Sequence, residues 1–138
     1  MRAIKIAVVV ATCLIIALAG VVCLAADDAL AVVNAQRAAR GLKPFLPDVG
    51  LYRAAAGCAD YRAQYGMAGH TSNDFAALPP GTRAPVAGCA AWAKGGGFGA
   101  CALYENWTYA GCAWTEGRDG RMYCHAFYSN QPSQPPPK

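Results

Sequence analysis

Apolar positions recur with helical spacing in the first segment after Asp27-Asp28. In "ALAVVNAQRAAR", Leu30 and Val33, followed by Arg37 and Arg40, lie three or four positions apart, so they share one face of a helix. The two aspartates are suited to begin that helix, since carboxylates favour a helix N-terminus. Gly41 is suited to end it, because glycine adopts the left-handed conformation that follows many helices.

A second helix is predicted from Asp48, an N-cap residue, through "VGLYRAAAGCADYRAQYG". The connector "LKPFLP" before it is expected to be extended, because proline disfavours helix in the preceding residue. The apolar stripe of this helix is predicted to contain Leu51, Ala54, Ala55, Cys58 and Tyr61. Its polar side is predicted to contain Arg53, Asp60 and Arg62.

The C-terminal third has the pattern of a β-hairpin. "YAGCAWT" and "RMYCHAFY" flank "EGRDGR", in which Asp119-Gly120 is a strong turn signal. Alternation in the second arm predicts Met122, Cys124, Ala126 and Tyr128 on one face, with Arg121, Tyr123, His125 and Phe127 on the other. The proline- and glycine-rich residues 71–99 predict loop, and residues 130–138 predict a disordered, proline-rich tail. The expected fold class is α+β, with the helices packed on a small antiparallel sheet.

The chain opens with a different kind of segment. Residues 1–26 carry Arg2 and Lys5, then an uncharged run that leads to "VVCLAA". A positive start, an apolar run and a small-residue exit are typical of a secretory signal peptide, although the run is also long enough for a membrane anchor. Both interpretations place Asp27 onward outside the cytoplasm. We therefore expect one small secreted or anchored domain at residues 27–129.

Charge and cysteine content narrow the expected partners. Without Arg2 and Lys5, ten basic and eight acidic residues remain. The sequence contains no run of basic residues, so nucleic acid is not an expected partner.

Five of the seven cysteines follow residue 26, and in an oxidising compartment most of them form disulfides. The hairpin suggests Cys112 with Cys124, nearly opposite each other, and the glycine-rich loop suggests Cys89 with Cys101. The sequence leaves the pairing and the odd cysteine open.

The segment "LAVVNAQRAARGLKPFLPDVGLYRAAAGCADYRAQYGMAGH" resembles the opening of a CAP domain. This superfamily contains cysteine-rich secretory proteins, antigen 5 allergens and plant pathogenesis-related proteins. The resemblance rests on Asn34, Arg37 and Gly41-Leu42, and on His70 beyond the second helix. "WAKGGGFGACALYENWTYAGCAW" is similar in spacing to a later family segment. The resemblance implies an α-β-α sandwich, shortened here on one side.

The resemblance also implies a central cleft with two histidines and two acidic residues, which in several members binds a divalent metal. His70 matches the first histidine, whereas Phe98 occupies the second histidine position. Between Asp74 and Glu105 the sequence contains no acidic residue. We therefore expect a degenerate cleft with no metal or cofactor, His70 being the one residue that would hold an ion if a site existed.

For the histidines and for Cys58, a structural role is favoured over a catalytic or ligand-binding role. His70 is either a cleft residue or a helix-end histidine that contacts the last carbonyls, and we favour the second. His125 is expected to be a packed or half-exposed strand residue rather than a ligand, and Cys58 a core or disulfide residue rather than a nucleophile. No catalytic residue is predicted.

The expected function is that of a non-catalytic extracellular module that binds a small molecule, lipid, glycan or protein. One alternative is a secreted hydrolase that uses His70 with Asp74 or Glu105. The other is a membrane-anchored structural domain of the cell envelope, which applies if the N-terminal segment is retained.

Overall fold

The computed structural model describes residues 29–71, 73–93, 98 and 106–135, with only the backbone of residues 89–93. In these residues the chain is an α+β domain, as predicted. Its elements are α1 (Ala29–Ala38), β1 (Leu46–Pro47), α2 (Val49–Tyr65), a 3-10 helix (Asp74–Ala77), β2 (Val86–Ala93), β3 (Tyr109–Glu116) and β4 (Arg121–Ser129). The expected export segment, Cys101 and Glu105 lie outside the described residues.

The predicted hairpin is confirmed, but the sheet is mixed rather than antiparallel. Its strand order is β1-β3-β4-β2, and β1 runs parallel to β3. The connector could join the sheet because Leu46 and Asp48 donate their backbone N–H groups to Thr108 and Ala110. Pro47 lies between these two donors, at a position where its missing N–H breaks no bond of the ladder.

Strand β2 was missed in a region predicted to be loop. It pairs antiparallel with β4 along its whole length, from Val86 opposite Tyr128 to Ala93 opposite Arg121. The sequence "VAGCAAWA" has mostly small side chains and no alternation of polar and apolar residues, so its own pattern does not favour a strand. The free edge of β4 supplies the pairing, because strand formation depends strongly on the neighbouring strand.

The two helices lie on opposite faces of the sheet, which gives three layers. Helix α1 and Phe45 pack on one face against Cys112, Cys124, Ala126 and Tyr128. Helix α2 packs on the other face against Ala113 and Phe127. The alternation predicted for β4 is therefore confirmed, and His125 and Phe127 point to the side of α2.

Helix α2 lies very close to the sheet at Gly111. A Cβ at this position would be 2.0 Å from the backbone nitrogen of Tyr52, so only glycine fits there. Asp48 begins α2 as predicted, its Oδ1 accepting the N–H of Leu51 at 2.8 Å. Gly66, with φ of 64°, ends the helix and turns the chain back toward the sheet.

Part of the tail that we predicted to be disordered contacts the start of α2. Ser133 donates its backbone N–H to Asp48 Oδ2 at 2.7 Å and its hydroxyl to Asp48 Oδ1. Gln134 donates its N–H to the carbonyl of Gly81. Residues as far as Gln134 therefore cover the N-terminus of α2 and the loop before β2.

The hairpin register does not favour the predicted Cys112–Cys124 disulfide. Cys112 lies opposite Ala126, and Cys124 lies opposite Trp114. The two cysteines are thus diagonal neighbours on one face, where Cα atoms are about 7–8 Å apart, beyond the usual span of a disulfide. No Sγ–Sγ bond joins them in the structure. The Cys89–Cys101 pairing involves side chains outside the described part of the chain.

Candidate functional site

The candidate site is centred on Asp74, the first residue of the 3-10 helix. Its side chain is 2% exposed and accepts hydrogen bonds from Arg62 Nη2 at 2.6 Å and Thr71 Oγ1 at 2.8 Å. His70 Nδ1 lies 2.8 Å from the other carboxylate oxygen, Oδ2. Burial alone raises the pKa of Asp74, but these bonds outweigh it and hold the pKa well below its usual value. The carboxylate is therefore ionised at neutral pH.

Arg62 was predicted on the polar side of α2, and this prediction is wrong. Its side chain is 1% exposed, and it donates to the carbonyls of Cys58 and Gly69 in addition to Asp74. The buried carboxylate compensates the guanidinium charge, which allows an arginine to lie among apolar residues. Tyr61 was predicted in the apolar stripe but is 49% exposed, since Arg62 occupies the buried side of this turn.

His125 approaches the same carboxylate from the sheet. Its side chain is fully buried, with Nε2 3.4 Å from Asp74 Oδ2, and its ring meets that of His70 edge-on at a centroid distance of 6.1 Å. Burial, and after it the charge of Arg62, lowers the pKa of His125 to about 4. Its imidazole is therefore neutral at pH 7. His125 is packed within a strand, as expected, but in contact with the candidate site.

An open cleft of about 480 Å³ lies between α2 and the segment that contains Asp74. It is lined by Gly57, Cys58, Tyr61, Arg62, Thr71, Asn73, Asp74 and Ala77. Asp74 and Arg62 form part of its wall and neutralise each other's charge. The ring of His70, bonded to Asp74, is 52% exposed.

The structure thus changes the expected environment of His70. The ring of His70 contacts Asp74 and meets the ring of His125 edge-on, whereas the carbonyl of Arg62 near the end of α2 accepts from Gly66 and Met67. Sequence reasoning named Asp74 only as one alternative partner and missed Arg62 and His125. No spacing signal links these residues, because the turn after Gly66 and the pairing of β4 bring them together.

The comparisons with known proteins add no assignment to this geometry. The chain matches no family model and no curated protein. Among the described residues, no helix is long and apolar enough to cross a membrane.

Proposed function

We propose that this chain is an exported CAP-like domain that binds a polar ligand in the cleft beside Asp74 and does not catalyse a reaction. Three features support the proposal: the order of the helices and the hairpin, the placing of the sheet between the two helices, and His70 beyond α2. The cleft lies next to the residue that matches the first histidine of the family.

The engagement of Asp74 is the observation that carries this proposal. Both of its oxygens accept short hydrogen bonds, and its pKa lies far below neutral pH, so it does not exchange a proton during a reaction at pH 7. Arg62 likewise donates hydrogen bonds to Asp74 and to two backbone carbonyls. The charged pair therefore stabilises the wall of the cleft instead of acting on a substrate.

The remaining surface of the cleft favours an uncharged polar ligand. Tyr61 presents a half-exposed ring, and Tyr65 lies against it at a centroid distance of 4.7 Å. Thr71 and Asn73 add a hydroxyl and an amide. Aromatic faces combined with a few neutral hydrogen-bonding groups suit a ligand with both apolar and hydroxyl surface, and we favour a saccharide.

Binding to a panel of soluble oligosaccharides, measured by calorimetry, tests this function. We expect at least one of them to bind, and we expect Tyr61→Ala to weaken that binding by about tenfold or more. Tyr52→Ala is the matched control, because Tyr52 is 54% exposed on the same helix but outside the cleft. Equal loss in both variants, or no binding by the wild-type protein, contradicts the proposal.

The contact between His70 and Asp74 supports hydrolysis as a second candidate function. A carboxylate that holds Nδ1 of a histidine leaves Nε2 available as a general base. Assays with activated esters and glycosides on the wild-type protein and on His70→Gln separate the two functions. Turnover that disappears in His70→Gln while oligosaccharide binding persists favours the hydrolase.

Export and anchoring are separated by a different measurement. Mass spectrometry of the protein recovered from its producing cells gives the mature N-terminus. A terminus near Asp27 supports a cleaved signal and a secreted domain. A retained residue 1 in a membrane fraction supports the envelope-anchored alternative.

A further inference from the structure

A second set of groups around Asp74 has the chemistry of a metal site. Cys58 Sγ, a carboxylate oxygen of Asp74 and a ring nitrogen of His125 all lie within 4.8 Å of one another, and all three residues are buried. Thiolate, carboxylate and imidazole are the ligand types that zinc takes in proteins. We propose that Cys58, Asp74 and His125 bind a zinc-like divalent transition-metal ion.

The spacing of two of these ligands fits tetrahedral coordination. His125 Nε2 lies 3.4 Å from Asp74 Oδ2, which is long for an N–H···O hydrogen bond. Two ligands that are each about 2.0–2.1 Å from one tetrahedral ion lie about 3.3–3.4 Å apart. These two atoms are therefore already at the separation that a shared ion requires.

His125 supplies an independent sign of a ligand. Its side chain is 0% exposed, and neither ring nitrogen makes a hydrogen bond within the part of the chain that the structure describes. Buried polar atoms without a partner are costly and uncommon in native proteins. An ion held by Nε2 satisfies this nitrogen.

The neighbouring charges permit such an ion. Arg62 binds Oδ1 of Asp74, while Oδ2 is the oxygen near His125. A thiolate from Cys58 would supply one negative charge to the ion, and the carboxylate would supply a second that it shares with Arg62. His70 orients the carboxylate through its bond to Oδ2. Cys58 and Asp74 also line the cleft, which gives the ion an entry path.

This set differs from the two histidines and two acidic residues that the family resemblance implies. His70, the residue that matches the family pattern, holds Asp74 here instead of the ion. The proposed site also does not depend on which ligand occupies the cleft, because its ligand atoms belong to buried side chains of α2, the 3-10 helix and β4.

Titration of the chelator-stripped full chain with Zn²⁺ and with Co²⁺ tests the site. We expect one ion per chain by calorimetry, and a thiolate-to-cobalt charge-transfer absorption that identifies Cys58 as a ligand. Cys58→Ser and His125→Gln should each weaken Zn²⁺ binding by more than about 100-fold. Cys112→Ser is the matched control, since Cys112 is a buried cysteine on the opposite face of the sheet.

Two results overturn the proposal: a wild-type protein without the thiolate–cobalt absorption, or Zn²⁺ affinity unchanged in Cys58→Ser. A third measurement needs no variant and covers the case in which the variants fail to fold. Alkylation of wild-type Cys58, followed by peptide mass mapping, should be at least about tenfold slower with Zn²⁺ than without it. Equal rates with and without Zn²⁺ reject the site.

Discussion

Arg62 of α2 and Asp74 of the 3-10 helix form a buried ion pair, with Nη2 2.6 Å from Oδ1 and side chains that are 1% and 2% exposed. The pair joins the helix to the segment that forms the other wall of the cleft. Removal of one partner leaves the second charge buried and uncompensated. The cleft therefore depends on an interaction between two residues that lie twelve positions apart in sequence.

Arg62→Met is expected to lower the free energy of unfolding by about 3 kcal/mol, because Asp74 then remains buried without its main partner. Urea denaturation of the wild-type protein and the variant measures the change. Arg53→Met, at an exposed position of the same helix, should change the stability by less than about 0.5 kcal/mol. Similar stabilities for Arg62→Met and Arg53→Met would show that the ion pair adds little.

Alanine substitutions at two glycines are expected to change the free energy of unfolding in opposite directions. Gly111→Ala places a Cβ 2.0 Å from the backbone of α2, and we expect a loss of about 3 kcal/mol or more from forced separation of helix and sheet. Gly57→Ala lies within α2 with nothing inside 4 Å of the new Cβ, and should stabilise by about 0.5–1 kcal/mol. Thermal unfolding of both variants gives the two signs, and a tolerated Gly111→Ala contradicts the close packing.

His125 predicts a pH dependence of stability in the metal-free protein. Its pKa is about 4 in the folded chain and 6.5 in the unfolded chain, so the unfolded state binds more protons between these values. Its contribution is fully present above pH 6.5 and is lost as the pH falls toward 4. The loss amounts to about 3 kcal/mol.

Urea denaturation with a chelator, repeated across this pH range, measures that loss. His125→Phe keeps the ring against Phe127 but cannot be protonated, so its stability should fall less steeply than that of the wild-type protein. The difference between the two profiles isolates His125 from the other titrating groups. Parallel profiles would mean that the buried ring is not the cause.

The contact between the tail and α2 predicts a small but specific effect. Ser133→Ala removes the hydroxyl that reaches Asp48 and Thr82, and should lower the free energy of unfolding by about 1 kcal/mol. Limited proteolysis should cut the tail of this variant faster than that of Gln131→Ala, whose side chain is exposed. Equal cleavage rates would show that the tail is not held by Ser133.

Local signals in the sequence were sufficient to predict those elements whose ends and turns depend only on neighbouring residues. Asp48 and Gly66 mark the ends of α2 because a side-chain cap and a left-handed glycine act within one turn of the helix. The Asp119-Gly120 turn and the alternation after it fix the hairpin and both faces of β4. The α+β class follows from these elements.

Tertiary structure alone decided the mixed sheet, strand β2 and the surroundings of His70. The edges of β3 and β4 supply the pairing for β1 and β2. The sequence patterns of β1 and β2 themselves do not favour strands. The sequence pattern predicts Arg62 on the surface, but Asp74 packs against it and buries it. His125 has the pattern of an ordinary strand residue, and its burial next to Asp74 depends on α2 covering the sheet. A buried charge or imidazole is determined by partners distant in sequence, so no local pattern contains it.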